Sequence, residues 1–109
     1  MTSAPNVTKT GICHLVALKF ENGVRDDVVA RLSPALDALI PQLDGLISYR
    51  HGDDLGINNG NADYGIAAVF ETEEHWRAYS VLPAHRKVID EIIAPNVKER
   101  TAVQFAVAP

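Results

Sequence analysis

Apolar and polar positions alternate along this chain in two rhythms, and the rhythms mark its elements. Gly11 to Phe20 reads as a strand that is apolar on both faces, with Ile12, Val16, Leu18 and Phe20 on one side and Leu15 and Ala17 on the other. It carries one histidine, His14, and ends at Asn22-Gly23, a turn signal. Val24, Val28, Leu32, Leu36, Leu39 and Ile40 then recur at helical spacing, with Arg25, Asp26, Asp27, Arg31 and Asp37 on the wet face. Pro34 falls inside this pattern and predicts a kink or split, because it removes a backbone donor. Pro41 and Gly45 close the segment. A short strand follows over Leu46 to Arg50, then a loop over Gly52 to Asn61 and a third strand over Tyr64 to Phe70. Thr72 predicts a helix N-cap, with Glu73 and Glu74 in the first turn. That helix carries Trp76 and Tyr79 until Pro83 restarts it, and Val88, Ile89, Ile92 and Ile93 form one stripe of the second half. Thr101 to Val107 reads as a last strand.

Strand, helix, strand, strand, helix, strand is the ferredoxin-like split βαββαβ order of an α+β domain. It implies a four-stranded antiparallel sheet with both helices on one face. Yet strands one and three are apolar on both faces: Ile66, Ala68 and Phe70 oppose Ala67 and Val69. Left in water, the open face would be a large apolar patch. A second copy packed sheet against sheet covers it, so the pattern predicts an obligate homodimer through the open sheet face, an α+β barrel.

Length and charge narrow the classes. The 109 residues suit one domain, read as residues 11–109 behind an N-terminal arm at 1–10 that is polar and lacks the apolar core of a secretory signal. A net charge of -4 with no basic run argues against nucleic acid and anionic membrane as partners. No apolar run approaches the ~20 residues of a membrane span. Cys13 is the single cysteine, which fits a reducing, cytoplasmic setting.

Strand alternation puts His14 on the side of Ile12, Val16 and Leu18. His85 precedes Ile89 by four residues and Ile92 by seven, so it points inward too, and Tyr79 ends the preceding helical segment. Three polar groups then converge on one apolar cavity, the usual make-up of a small-molecule site. A desolvated histidine stays neutral and can accept a proton, and a tyrosine hydroxyl can donate to a developing enolate oxygen. Each also has a plainer role: His14 as a satisfied core residue, His85 in capping or packing, Tyr79 and Trp76 as core aromatics with a bonded polar tip. Cys13 and His14 face opposite ways, which disfavours a nucleophilic pair. The acidic loop lacks the glutamate that a calcium loop needs at its twelfth position, where Tyr64 stands. His51 and His75 read as exposed, and the four histidines show no metal-ligand spacing, so no metal is expected. The loop glycines lack a following Lys-Ser/Thr, so phosphate binding is unsupported.

His14-Leu15-Val16-Ala17-Leu18-Lys19-Phe20, Tyr64 through Phe70-Glu71, Tyr79 and Leu82-Pro83-Ala84-His85 together resemble the stress-responsive α/β-barrel (Dabb) family over residues 12 to 107. The resemblance implies a dimeric α+β barrel. Members of that family include plant stress proteins without a clear reaction, a hydroxynitrile lyase and olivetolic acid cyclase, a polyketide cyclase that uses no metal or organic cofactor. By resemblance to the cyclase, His85 stands at the catalytic base, Tyr79 at the carbonyl-binding tyrosine and His14 at a pocket histidine. Gln104 takes the place of the aspartate that orients the base; it can hold an imidazole but not stabilise an imidazolium by charge. Tyr64 stands where the cyclase has another pocket histidine, and Ser33 near a pocket tyrosine. These departures argue against the same cyclisation and leave a generic acid–base role for His85.

His85, Tyr79 and His14 are therefore the candidate catalytic residues, and Tyr64, Gln104, Trp76 and Ile66 the candidate ligand contacts, with no cofactor. Three function classes stay open: a cofactor-independent cyclase, lyase or isomerase acting on a small apolar carbonyl compound, a non-catalytic small-ligand binding protein, and a structural stress-related homodimer without a ligand.

Overall fold

The computed structural model describes residues 11–108; the arm at 1–10 lies outside the described residues. The elements run β1 (Gly11–Phe20), α1 (Arg25–Leu39), a 3₁₀ turn (Ile40–Gln42), β2 (Leu46–Asp53), β3 (Tyr64–Phe70), α2 (Glu73–Val81), α3 (Pro83–Val88), a π-helical turn (Ile89–Ile93) and β4 (Val97–Val107). The four strands form one antiparallel sheet in the order β2-β3-β1-β4, the ferredoxin-like arrangement.

The core lies between the sheet and the helices. Val16, Leu18 and Phe20 of β1 and Tyr64 and Ile66 of β3 pack on Val28, Leu32, Leu36 and Leu39 of α1 and Val88 of α3. Burying an aliphatic side chain of this size contributes about 1.5–3 kcal/mol, so the α1 stripe holds that helix to the sheet. A smaller cluster of Ala68, Phe70 and Tyr79 closes the other end. Thr72 caps α2 as its sequence predicts, its hydroxyl accepting from the His75 amide at 3.1 Å.

Four expectations are corrected. Pro34 does not split α1, which runs unbroken from Arg25 to Leu39. Pro34 and Ala30 both lie on the exposed side, so the carbonyl deprived of its partner opens to water while Leu32 and Leu36 hold the buried side. Strand β2 continues three residues past Arg50, through Asp53, because its register with β3 extends to the Asp53–Tyr64 pair. Strand β4 starts at Val97 rather than Thr101, with an irregularity where Phe20 pairs with Val97. Finally, His51 and His75 are not free surface residues. The His51 side chain is 8% exposed and bonded at both ring nitrogens, and the His75 ring bonds Thr72 and lies against Gly45.

The opposite sheet face carries Leu15, Val103, Phe105 and Ile47, each between 41% and 51% exposed in the single chain. Ala17, Ala67 and Val69 extend the same apolar surface.

Candidate functional site

Strand register sets the floor of the site. Tyr49, Ala68, His14 and Gln104 are successive cross-strand partners, so they form one row across all four strands. Directly paired residues project to the same side, and Val16 and Leu18 show that this is the helix side. Ala68 is wholly buried, and its small side chain leaves height in the middle of the row.

The roof comes from α2 and α3. Leu82 is extended between them (φ -60°, ψ 127°), and Pro83 begins α3 where its missing N–H costs nothing. This corner folds His85 back on Tyr79: the rings stack with centroids 4.0 Å apart at 27°. The Tyr79 and Tyr49 hydroxyls are 2.9 Å apart, and the Tyr79 ring also packs on Phe70. Gln104 Nε2 lies 2.8 Å from His14 Nδ1. The amide donates in that pair, so Nδ1 of a neutral His14 accepts and its proton sits on Nε2. The His14 ring in turn lies 5.6 Å from that of Trp76.

His14, His85, Tyr79, Trp76 and Gln104 thus form one neighbourhood, as the sequence suggests. Gln104, however, holds His14 and not the candidate base His85, because Gln104 and His14 are cross-strand partners. Tyr64 stands apart. Its hydroxyl meets Ser33 Oγ at 2.8 Å and His51 Nδ1 at 2.6 Å, while His51 Nε2 meets Asp37 Oδ1 at 2.7 Å. Ile66 belongs to the aliphatic core. Tyr49 joins the two polar groups, with its ring 5.9 Å from His51 and 6.1 Å from Tyr79.

Burial governs the protonation states. His14 is lowered to about 4, first by desolvation, then by the positive charge of Arg100 and by the neighbouring His85 wherever that ring is protonated. His85 is also lowered, mainly by burial; the carbonyls of Ser80 and Tyr79 beside the ring oppose this, without the alignment of a hydrogen bond. Both imidazoles are therefore neutral near pH 7. Tyr79 is raised by burial, against the Tyr49 bond and Arg100, and Tyr49 is raised by burial and by Tyr79. Both phenols keep their protons. Among the described residues two buried side-chain polar atoms have no hydrogen-bond partner, Trp76 Nε1 and His85 Nδ1.

Two clefts flank the group. One, of about 310 Å³, opens beside Trp76, Gln104 and Ile12. The other, of about 60 Å³, lies beside Tyr79, Phe70 and Leu82. His14 and His85 line neither, so the single chain divides the space that the sequence suggests as one cavity. Among the described residues no group of three His, Cys, Asp or Glu side chains is placed to hold a metal ion, and no helix is long and apolar enough to cross a membrane.

Sequence reasoning missed Tyr49, His51, Asp37 and Arg100. The two-residue spacing of Tyr49 and His51 was the available signal, since it puts both on one face of β2. Arg100 carries no local signal; only its pairing with Leu18 puts it on the helix side.

The family profile described as Stress responsive A/B Barrel Domain (Dabb) matches residues 12–107. Among curated proteins, none matches the sequence. A dimeric ferredoxin-like protein of unknown function from Thermobifida fusca is 37% identical, with 90% of this chain and 92% of that one covered and a TM-score of 0.83. A Dabb family protein with a ferredoxin-like fold from Mesorhizobium loti shares the fold at 12% identity, covering 88% and 95% with a TM-score of 0.72. So does the hydroxynitrile lyase of Passiflora edulis, at 11% identity, covering 91% and 94% with a TM-score of 0.76. The match over almost the whole described chain, on a sheet of the same topology, shows that the chain belongs to the stress-responsive A/B barrel domain (Dabb) family.

Proposed function

We propose that this protein is a homodimer, closed through its open sheet face, that performs acid–base chemistry on a small, mainly apolar carbonyl compound without a cofactor. The observation that carries the reading is the stacked pair of a desolvated, neutral His85 and a protonated Tyr79, 4.0 Å apart. A neutral His85 keeps its proton on one ring nitrogen and leaves the other as the basic nitrogen. That nitrogen takes a proton from carbon or hydroxyl as the carbonyl oxygen gathers charge. Tyr79 donates to that oxygen, and Tyr49 donates to Tyr79 in turn, so charge disperses over two phenols. His14, with its proton on Nε2, supplies a second neutral donor. The reaction class is that of a cyclase, lyase or isomerase, a reading supported by the hydroxynitrile lyase from Passiflora edulis that shares the fold. The exposed apolar sheet face and the dimeric relative from Thermobifida fusca support the homodimer. The single cysteine and the absence of a basic run keep the cytoplasm as its place and leave nucleic acid and membrane out of its partners.

A second reading is favoured by one observation. Tyr79 and His14 already have partners, in Tyr49 and Gln104, as groups in a binding or purely structural pocket would. Exchange of α-protons in D₂O, followed by NMR with acetophenone and cyclohexanone as probes, separates the two. Catalysis predicts exchange above background that His85→Ala and Tyr79→Phe abolish while the dimer persists. Exchange at background, or unchanged in both variants, overturns it.

A further inference from the structure

Trp76 stands between the buried polar group and open space. On one side its ring lies 5.6 Å from that of His14, tilted at 52°, and packs on the cluster of Ala68, Phe70 and Tyr79. Tyr79 follows it by three residues on α2, so the two rings share a helix face. On the other side Trp76 lines the cleft of about 310 Å³, together with Ile12, Gln104 and Ala106. His14 and Tyr79 do not line that cleft. Trp76 is thus a wall residue whose ring meets both His14 and the Tyr79 cluster from the cleft side.

The closed position of this ring has a cost. Among the described residues the buried Trp76 Nε1–H has no acceptor. An unpaired buried donor lowers the population of that position about five- to a hundredfold against one in which the N–H meets water. Packing on His14 and on the Tyr79 cluster works the other way, so the two effects oppose. Arg77, whose guanidinium carbon lies 6.0 Å from the Trp76 ring centroid, is bonded to Glu73, and both residues line the same cleft. A long side chain on a helix has two ordinary χ1 wells, near 180° and −60°. A cleft of this size holds a small organic molecule, so it also has room for a displaced indole.

We propose that Trp76 is the gate of this site. Its indole turns out into the cleft, gains water as a partner for its N–H, and uncovers His14 and Tyr79 to an entering molecule. The cleft beside Ile12 and Gln104 is the antechamber, and the space that the indole leaves is the inner site. The inference rests on the pocket reading above. It accounts for the one feature that reading leaves open, that His14 and His85 line neither flanking cleft in the closed chain.

Trp76 is the only tryptophan, so 5-fluorotryptophan gives one ¹⁹F signal in the symmetric dimer. Relaxation dispersion on that signal should show exchange between two positions on the microsecond-to-millisecond scale. Saturating acetophenone, the probe ligand, should shift the two populations. Trp76→Ala removes the gate, so the association and dissociation rates of acetophenone, read from ligand NMR line shapes, should both rise at least about tenfold. Trp76→Phe keeps a ring but drops the unpaired donor, so it should slow association about fivefold or more. Should Trp76→Ala not fold, Trp76→Phe and the ¹⁹F signal decide. Rates unchanged in the variants, with acetophenone still bound, overturn the gate and leave the pocket standing. A ¹⁹F signal without exchange, as when partner side chains fill the cleft, overturns the gate as well. Acetophenone bound by neither the wild type nor Trp76→Ala sinks the gate and the pocket together.

Discussion

Phe105 offers the sharpest test of how the open sheet face is covered. It pairs with Cys13 on β1, which pairs with Val69 on β3, so it stands on the face away from the helices. In the single chain it is 45% exposed. For an aromatic residue of about 200 Å², that is about 90 Å² of apolar surface open to water. Removing it from water at about 25 cal/mol per Å² contributes about 2 kcal/mol per protomer. A two-fold interface uses every residue twice, so Phe105→Ala costs the dimer about 4–5 kcal/mol, or about a thousandfold in dissociation constant. Phe105→Glu should cost more, because it also desolvates two like charges. Sedimentation velocity over a dilution series reads the effect, and circular dichroism checks that the protomer keeps its fold, since Phe105 touches no part of the helix-side core clusters. A dissociation constant unchanged within threefold in both variants would refute the two-fold, sheet-to-sheet packing.

The remaining predictions concern the protomer. Tyr64→Phe removes the hydroxyl shared by Ser33 and His51 and leaves both without that partner; it should destabilise by about 1–3 kcal/mol in urea unfolding, and a neutral variant would mean the bonds are worth nothing net. The folded His14 sits at about 4 against 6.5 for the free group, so between those values the unfolded chain binds the extra proton and stability is lost as pH falls. Discounted for solvent screening, this amounts to about 1–2 kcal/mol from pH 6.5 to 4. His14→Gln should flatten the difference between pH 6.5 and 5, and an unchanged slope would contradict the burial argument. Gly45 has φ +68°, and a Cβ there would run into the His75 ring. Gly45→Ala should therefore cost about 1–3 kcal/mol, measured as a lower melting temperature, where Gly23→Ala, with open space around it, should cost less.

Much of the fold is written in local patterns. The two-faced apolar strands β1 and β3, the Thr72 cap and the Pro83 restart each have a short-range physical cause that the chain displays directly. The convergence of His14, His85 and Tyr79 followed from alternation on one strand and one helical stripe. What was not legible depends on pairing between distant segments. Gln104 holds His14 because β4 registers with β1 across 90 residues, and no local rule sets that register. His51 reads as exposed until β2 is known to extend beyond it and α1 to bring Asp37 within 2.7 Å. Pro34 misleads for a related reason: propensity predicts a break, and tertiary burial of Leu32 and Leu36 overrides it.

The central claim is that His85 and Tyr79 face a small molecule. A crystal structure of the dimer purified from its native host tests it most directly. The account predicts density for a small apolar compound with a polar atom within hydrogen-bond distance of the His85 ring and the Tyr79 hydroxyl. A dimer in which partner side chains fill both flanking clefts, with His85 bonded to protein on both ring nitrogens, would contradict it.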